Sequence, residues 1–252
     1  MRRLLAVALL AGAADSAPAQ VIDARPRKFS DQWIFEGSGF AGFPTGDFRK
    51  DEKIGGGLNL SVALQPFRRQ PLALRMDLGG MIYDGLENDE DQEVCDFFGN
   101  NCQNETVFYD NRHHYMSFVQ AGPEFFATDG KVRPYAFALG GVTFFNSTAA
   151  YGPTGTGQSN TRSLFTSQNV SSTYGVGLRF VTKNYGREGG FDIGVRFMRN
   201  AKARYLTDKG VYRRADGSYD VSARQGAANV LMIHIGYNGG PFVNWDERRP
   251  RP

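Results

Sequence analysis

The stretch Gly57-Leu58-Asn59-Leu60-Ser61-Val62-Ala63-Leu64-Gln65-Pro66 alternates apolar with small or polar residues without a slip. Side chains of a strand point to opposite faces in turn. The spacing therefore predicts a strand with Leu58, Leu60, Val62 and Leu64 on one side and Asn59, Ser61, Ala63 and Gln65 on the other. Pro66 ends the ladder because it has no N–H to donate. After a short basic turn, Phe67 to Gln70, the pattern returns: Leu72, Leu74, Met76 and Leu78 alternate with Ala73, Arg75, Asp77 and Gly79. The two strands read as a hairpin whose polar face carries full charges at mid-strand. Charges there, opposite an unbroken aliphatic face, suit a barrel with lipid outside and a polar lumen.

Working outward, the same period marks six more segments. Strand one, Gln32 to Phe43, sets Trp33, Phe35, Ala41 and Phe43 against Glu36, Ser38 and Gly42. Strand four, His114 to Phe126, sets Val119, Ala121 and Phe125 outward and Gln120 and Glu124 inward. Thr128-Asp129-Gly130 signals a tight turn. Strand five, Val132 to Phe145, is read with Tyr135, Phe137, Leu139 and Phe145 outward and the small Ala136, Ala138 and Gly140 inward. Strand six, Ser171 to Val181, turns Tyr174, Val176, Leu178 and Phe180 outward and Arg179 inward. Strand seven turns Phe191, Ile193, Val195 and Phe197 outward and Asp192 and Arg196 inward. Strand eight has Leu231, Ile233, Ile235 and Tyr237 outward and His234 inward. Residues 44–55, 84–112, 146–170 and 200–226 read as loops and the remaining connections as short turns. The fold class that follows is all-β: an eight-stranded antiparallel up-and-down transmembrane β-barrel with both termini at one end.

Composition agrees with this class. The chain has 252 residues, 41% of them hydrophobic, and a mean hydropathy of −0.41, with no apolar run long enough for a membrane helix after the N-terminus. A barrel needs only alternate residues to face lipid, so the low hydropathy does not oppose it. The net charge of +3 gives no reason to expect nucleic acid. Residues 1–19 read as a signal peptide: Arg2 and Arg3, an apolar run from Leu4 to Ala14, and Ala17-Pro18-Ala19 as the cleavage site. The expected organisation is then a polar lead over 20–31, a barrel over 32–237 and a basic tail over 238–252.

The pattern, carried by Gly57 to Pro66 and by Pro134-Tyr135-Ala136-Phe137-Ala138-Leu139-Gly140-Gly141, resembles the small outer-membrane β-barrel group. That group includes the outer membrane protein A-like, OmpX, OmpW and opacity barrels. The resemblance implies export to a bacterial outer membrane of the Gram-negative type, insertion by the barrel assembly machinery, contact with lipid and lipopolysaccharide, and a monomer. Two departures stand out. Tyr237 is followed by a tail where such barrels often end on a terminal aromatic, and nothing resembles a peptidoglycan-binding module. The competing architecture is a soluble lipocalin-type barrel with the apolar phase turned inward.

Candidate sites are few. With the phases above, Glu36, Asp77, Glu124 and Asp192 meet Arg75, Arg179, Arg196 and His234 in the lumen. An ionic network that plugs it is expected, because an eight-stranded barrel is just wide enough for side chains to fill. Cys95 and Cys102 read first as a local disulfide of an exported chain, and second as a metal pair. The segment 84–112 holds nine acids and one base, a formal −8; its run Glu87 to Glu93 lacks the ligand spacing of a calcium loop and reads as a solvated charge run. The segment 200–226 holds six bases and three acids, a formal +3, and Arg204, Arg213 and Arg214 are candidates for lipopolysaccharide phosphates. Some barrels of this kind act on lipid A with a His, a Ser and a carboxylate. Here His113, His114 and Ser117 are the local candidates, and they read instead as polar residues at the barrel rim. No catalytic residue, metal or cofactor is assigned. The expected function is structural, surface-interacting or adhesive, and the alternative is a narrow, porin-like transport barrel for small apolar solutes.

Overall fold

Alternation of apolar and polar residues builds the wall. In a computed structural model that describes residues 33–65, 71–95, 102–126, 131–153, 160–184, 187–214 and 218–239, the strands are β1 (Trp33–Thr45), β2 (Gly55–Leu64), β3 (Leu72–Cys95), β4 (Cys102–Phe126), β5 (Val132–Pro153), β6 (Asn160–Asn184) and β7 (Arg187–Arg199). Short strands β8 (Ala203–Tyr205), β9 (Val211–Arg213), β10 (Tyr219–Val221) and β11 (Arg224–Gly226) follow, and then β12 (Asn229–Gly239). The long strands form one closed antiparallel barrel in the order β1-β12-β7-β6-β5-β4-β3-β2. β12 closes it on β1 from Thr45↔Asn229 to Phe35↔Gly239. The signal, lead and most of the tail expected from the sequence lie outside the described residues.

The polarity is that of a membrane barrel. Leu58, Leu60, Leu74, Val176 and Ile235 stand 58–74% exposed on the outer wall, while Asp77, Glu124 and Asp192 are fully buried inside. In water such an outer face would leave its apolar area unburied; against lipid it is at home. The lipocalin arrangement is therefore not that of this chain.

Three expectations are corrected. Residues 84–112 and 146–170 are largely strand, not loop: β3 to β6 run 22 to 25 residues, against 10 to 13 for β1, β2, β7 and β12. Above the wall both faces of a sheet are outside lipid, so the ladder continues without the apolar alternation that announces it below. Register shifts at Ile82/Asp84 and Ser147/Thr148 mark where this flange leaves the wall. Its last pairs are Cys95↔Cys102, Phe108↔Pro153 and Tyr151↔Asn160. Second, residues 200–226 are not a plain loop, for β8 pairs with β11 and β9 with β10. Third, β5 is turned over: Tyr135, Phe137, Leu139 and Phe145 are buried inside, and Ala136, Ala138 and Gly140 are exposed outside. Both phases of β5 are apolar, so hydropathy does not choose between them. The lumen's need for bulk does.

Candidate functional site: a lumen filled in two storeys

In the half nearer the start of β1 and the end of β12, four carboxylates and three guanidiniums meet. Arg75 on β3 donates from Nε to Asp77 Oδ1 (2.6 Å), from Nη1 to Glu124 Oε2 (2.7 Å) and from Nη2 to Glu36 Oε1 (3.2 Å) and Ser61 Oγ (2.6 Å). Arg179 on β6 donates to Glu124 Oε1 (3.1 Å) and Glu36 Oε2 (3.2 Å), and Arg196 on β7 to Asp77 Oδ2 (2.9 Å). Tyr135 donates to Asp192 Oδ1 (2.8 Å), which lies 2.8 Å from His234 Nε2. The structure thus gathers Glu36, Arg75, Asp77, Glu124, Arg179, Asp192, Arg196 and His234 into one cluster that ties six of the barrel's eight strands across the axis: β1, β3, β4, β6, β7 and β12. Planar guanidinium forks bridging two or three carboxylates make this possible where an ammonium would reach one.

Glu36, Asp192 and His234 each bring a potential metal-ligand atom within 4.8 Å of the others. Glu36 is already taken by two guanidiniums, so the trio is part of the network rather than a cation cage.

The inverted β5 supplies the floor of this cluster. Arg75 and Arg196 lie over the Phe137 ring, 4.7 and 5.5 Å from its centroid, and Arg179 lies 4.9 Å from that of Tyr135. The two rings sit directly across from Gly175 and Gly177 of β6. A Cβ at Gly175 would fall 2.3 Å from Phe137 Cζ, and one at Gly177 2.4 Å from Tyr135 Oη. The sequence signal for this shelf is the pairing of Tyr-x-Phe with Gly-x-Gly on adjacent strands.

The opposite half of the lumen is mostly apolar. Phe40, Met81, Met116, Phe118, Phe145, Met198, Val230 and Met232 point in from the wall, and the connections come down to meet them. Gly46, with φ of +67°, lets the chain after β1 fold back over the mouth. A single 3-10 turn, Phe48–Lys50, then drops the Phe48 ring to 4.9 Å from Tyr205, 5.1 Å from Tyr83 and 6.2 Å from Phe145, centroid to centroid. Tyr205 and Leu206 enter from the segment after β7, and Tyr83 Oη donates to the Leu206 carbonyl (3.3 Å). Burial pushes the Tyr205 phenol up to about 12. Outside, the Arg224 guanidinium grips both oxygens of Asp51 (2.7 and 2.9 Å), tying the two connections together. Residues 44–55 and 200–226, polar loops by their composition, thus supply a plug that their hydropathy does not announce.

The other candidates are placed as follows. His114 lies at the level of the rim, but within β4 rather than at a loop end. It is fully buried, its Nδ1 2.7 Å from Ser147 Oγ and its ring stacked on Tyr83. His113 and Ser117 lie on the opposite face of β4, so the three do not form a catalytic group. Arg214 is held by Asp220 in a bidentate pair (2.6 and 2.8 Å), and Arg204, exposed, lies 5.9 Å over Phe165. The Arg213 side chain is outside the described residues. Cys95 and Cys102 face each other in register on β3 and β4.

The fold and the filled lumen define a small eight-stranded transmembrane β-barrel. No family model matches the chain, and no curated protein does. Among solved structures it is similar to Neisserial surface protein A, at 9% identity and a TM-score of 0.43, covering 83% of this chain and 97% of that one. It is similar also to Ail of Yersinia pestis, there in complex with the heparin analogue sucrose octasulfate, at 18% identity and a TM-score of 0.40, covering 82% and 99%. A third is the outer membrane protease OmpT from Escherichia coli, at 8% and 0.38, covering 83% and 94%. At such identities the likeness is one of fold.

Proposed function

We propose that the protein is a closed outer-membrane barrel whose work is done at the cell surface by the flange, in a structural or adhesive role, and that it does not pass solutes. The observation that carries this is the combination of a lumen filled in both halves with four strands that rise well beyond the wall. A transporter would need a continuous path, and an apolar plug over an ionic cluster offers neither a wet nor an apolar one throughout. Export through the N-terminal signal and insertion by the assembly machinery belong to the same proposal. So does contact of the rim with lipopolysaccharide phosphates. Arg204 is exposed and suits that contact, whereas Arg214 already has both oxygens of Asp220.

The test is to express the protein in a Gram-negative host beside a variant with the flange trimmed from 86–110 and 150–163. Surface attachment of cells should fall with the trimmed form while its shift in gel migration on heating, a sign of a folded barrel, is kept. Solute-dependent swelling of liposomes holding the intact protein would overturn the reading.

A further inference from the structure

The chain has six methionines, and four of them, Met81, Met116, Met198 and Met232, are buried together in the mostly apolar half of the lumen. On the lipid face apolar bulk comes from Leu, Ile, Val and aromatic residues, with Met76 alone among the methionines. As a filler methionine is the costlier choice, since it loses more rotamer freedom on burial than Leu or Ile and fixes a core less sharply. What it adds is a thioether sulfur. The register shows where these sulfurs go. Met81 and Met116 are directly opposed on β3 and β4, and opposed side chains of an antiparallel pair have Cβ atoms about 4.5–5.5 Å apart. A Cβ at Gly57, which faces Met81 from β2, would fall 2.7 Å from Met81 Cβ, and one at Gly42 on β1 would fall 2.7 Å from Met81 Sδ. The two glycines thus let the Met81 side chain pass over β2 and bring its sulfur to the seam of β1 and β12, where Gly42 is paired with Met232. Met198, paired with Val230, lies one diagonal step from Met232 across β7 and β12. Thr143 on β5 donates to Met198 Sδ (3.7 Å) from two strands away, so this sulfur also leans over the lumen. The four thioethers therefore surround the axis of a barrel just wide enough for side chains to fill.

The storey beneath decides the charge of what such a ring admits. Glu36, Asp77, Glu124 and Asp192 stand against Arg75, Arg179 and Arg196, a formal −1 with His234 neutral. Arg196, two residues from Met198 on the same face of β7, is the guanidinium nearest the ring, and Asp77 already holds it. Neutral, soft sulfur ligands above an anionic excess favour a soft cation of single charge. Ca²⁺ and Mg²⁺ require oxygen ligands, and Zn²⁺ takes thiolate, imidazole or carboxylate. We propose that Met81, Met116, Met198 and Met232 form a binding site for a soft monovalent cation, Cu(I) or Ag(I), inside the lumen. The Phe48–Tyr205 plug covers the site and shields a bound ion from water and oxidant. This role belongs to the closed lumen and is independent of what the flange does at the surface.

The experiment uses the full mature protein with Cys95→Ser and Cys102→Ser, so that thiols do not compete for the metal. It is refolded into lipid nanodiscs without oxygen, in the presence of ascorbate and Cu(I), which lets the ion enter before the plug closes. Competition with bicinchoninate reads the affinity, and X-ray absorption at the copper edge reads the neighbouring atoms. One tightly held Cu(I) with sulfur neighbours is expected, and Zn²⁺ should not displace it. Met116→Leu and Met198→Leu nearly conserve volume, so the barrel should fold and keep its shift in gel migration on heating. Each should weaken Cu(I) binding at least about ten-fold, and the two together should abolish it. No binding by the refolded protein, binding unchanged in the double variant, or oxygen and nitrogen neighbours in place of sulfur would each overturn the proposal. Attachment unaffected by trimming the flange would fail the surface reading without touching this result.

Discussion

At the scale of single residues the lumen charges are unequal, and their connectivity ranks them. Arg75 holds three carboxylates and Ser61, whereas Arg196 holds Asp77 alone. Removing one partner of a buried network leaves charges uncompensated, at about 3–5 kcal/mol. Arg75→Ala should therefore fall in that range and Arg196→Ala below it, measured by urea unfolding from lipid vesicles. Arg75→Ala and Asp77→Ala together should cost less than the sum of the two, because they share one interaction. The glycine shelf makes a second case. Gly175→Ala should destabilise by about 1–3 kcal/mol through overpacking against Phe137 and be partly rescued by Phe137→Leu. Gly140→Ala, on the outer face with nothing within 4 Å of its Cβ, should be near neutral. These residues also show where legibility stopped. Arg75, Asp77 and Asp192 can be read inward because each alternates with an unbroken apolar phase. Tyr135 and Phe137 cannot, because β5 is apolar on both faces and its orientation is set by Gly175 and Gly177, some forty residues away in sequence.

At the scale of elements, two segments mistaken for loops carry the next predictions. The tip of the flange sets Cys95 opposite Cys102. Directly opposed residues of an antiparallel pair have Cα atoms about 4.5–5.5 Å apart, within reach of a disulfide. The exported protein should yield one linked peptide holding both cysteines in a non-reducing digest, and reduction should loosen the tip by about 2.5 kcal/mol in the chain-entropy account. Alkylation of both thiols in the untreated folded protein would sink this. Loop composition hid the flange, since Gly, Ser, Thr and Asn read as turns even where a ladder already in register carries them along. The segment after β7 was hidden in another way, because its buried Tyr205 and Leu206 are two apolar residues in a charged stretch. Burial holds the Tyr205 phenol near 12, above the ordinary value of 10. Between those values the unfolded chain releases a proton that the folded one keeps, so the stability contributed is full below pH 10 and is lost as pH rises toward 12. Tyr205→Phe should remove that part of the alkaline slope, followed by hydrogen exchange at residues 203–207.

For the whole molecule, the two storeys act as seals in series, and this changes what a single substitution can do to permeability. A path through the lumen must cross both the ionic cluster and the aromatic-methionine plug, and the larger resistance governs the current. Arg75→Ala opens space only below. Met81, Met116, Met198, Met232 and the Phe48–Tyr205 pair still close the mouth above it. Loosening the plug alone, by Phe48→Ser with Asp51→Asn to release Arg224, leaves the network below, where Arg196 on β7 reaches Asp77 on β3 across the barrel and Arg179 on β6 reaches Glu36 on β1. The unmodified protein, Arg75→Ala and the plug variant should each show no steady single-channel current in planar bilayers. Only the combined variant should conduct, and the stability lost should be close to additive because the two groups share no contact. The two kinds of damage are thus read on different instruments: unfolding detects either seal failing, conductance only both. A large, stable current from Arg75→Ala alone would mean that the plug is permeable and that the ionic cluster is the one barrier. The same current from the unmodified protein would remove both seals from the account and return the lumen to transport.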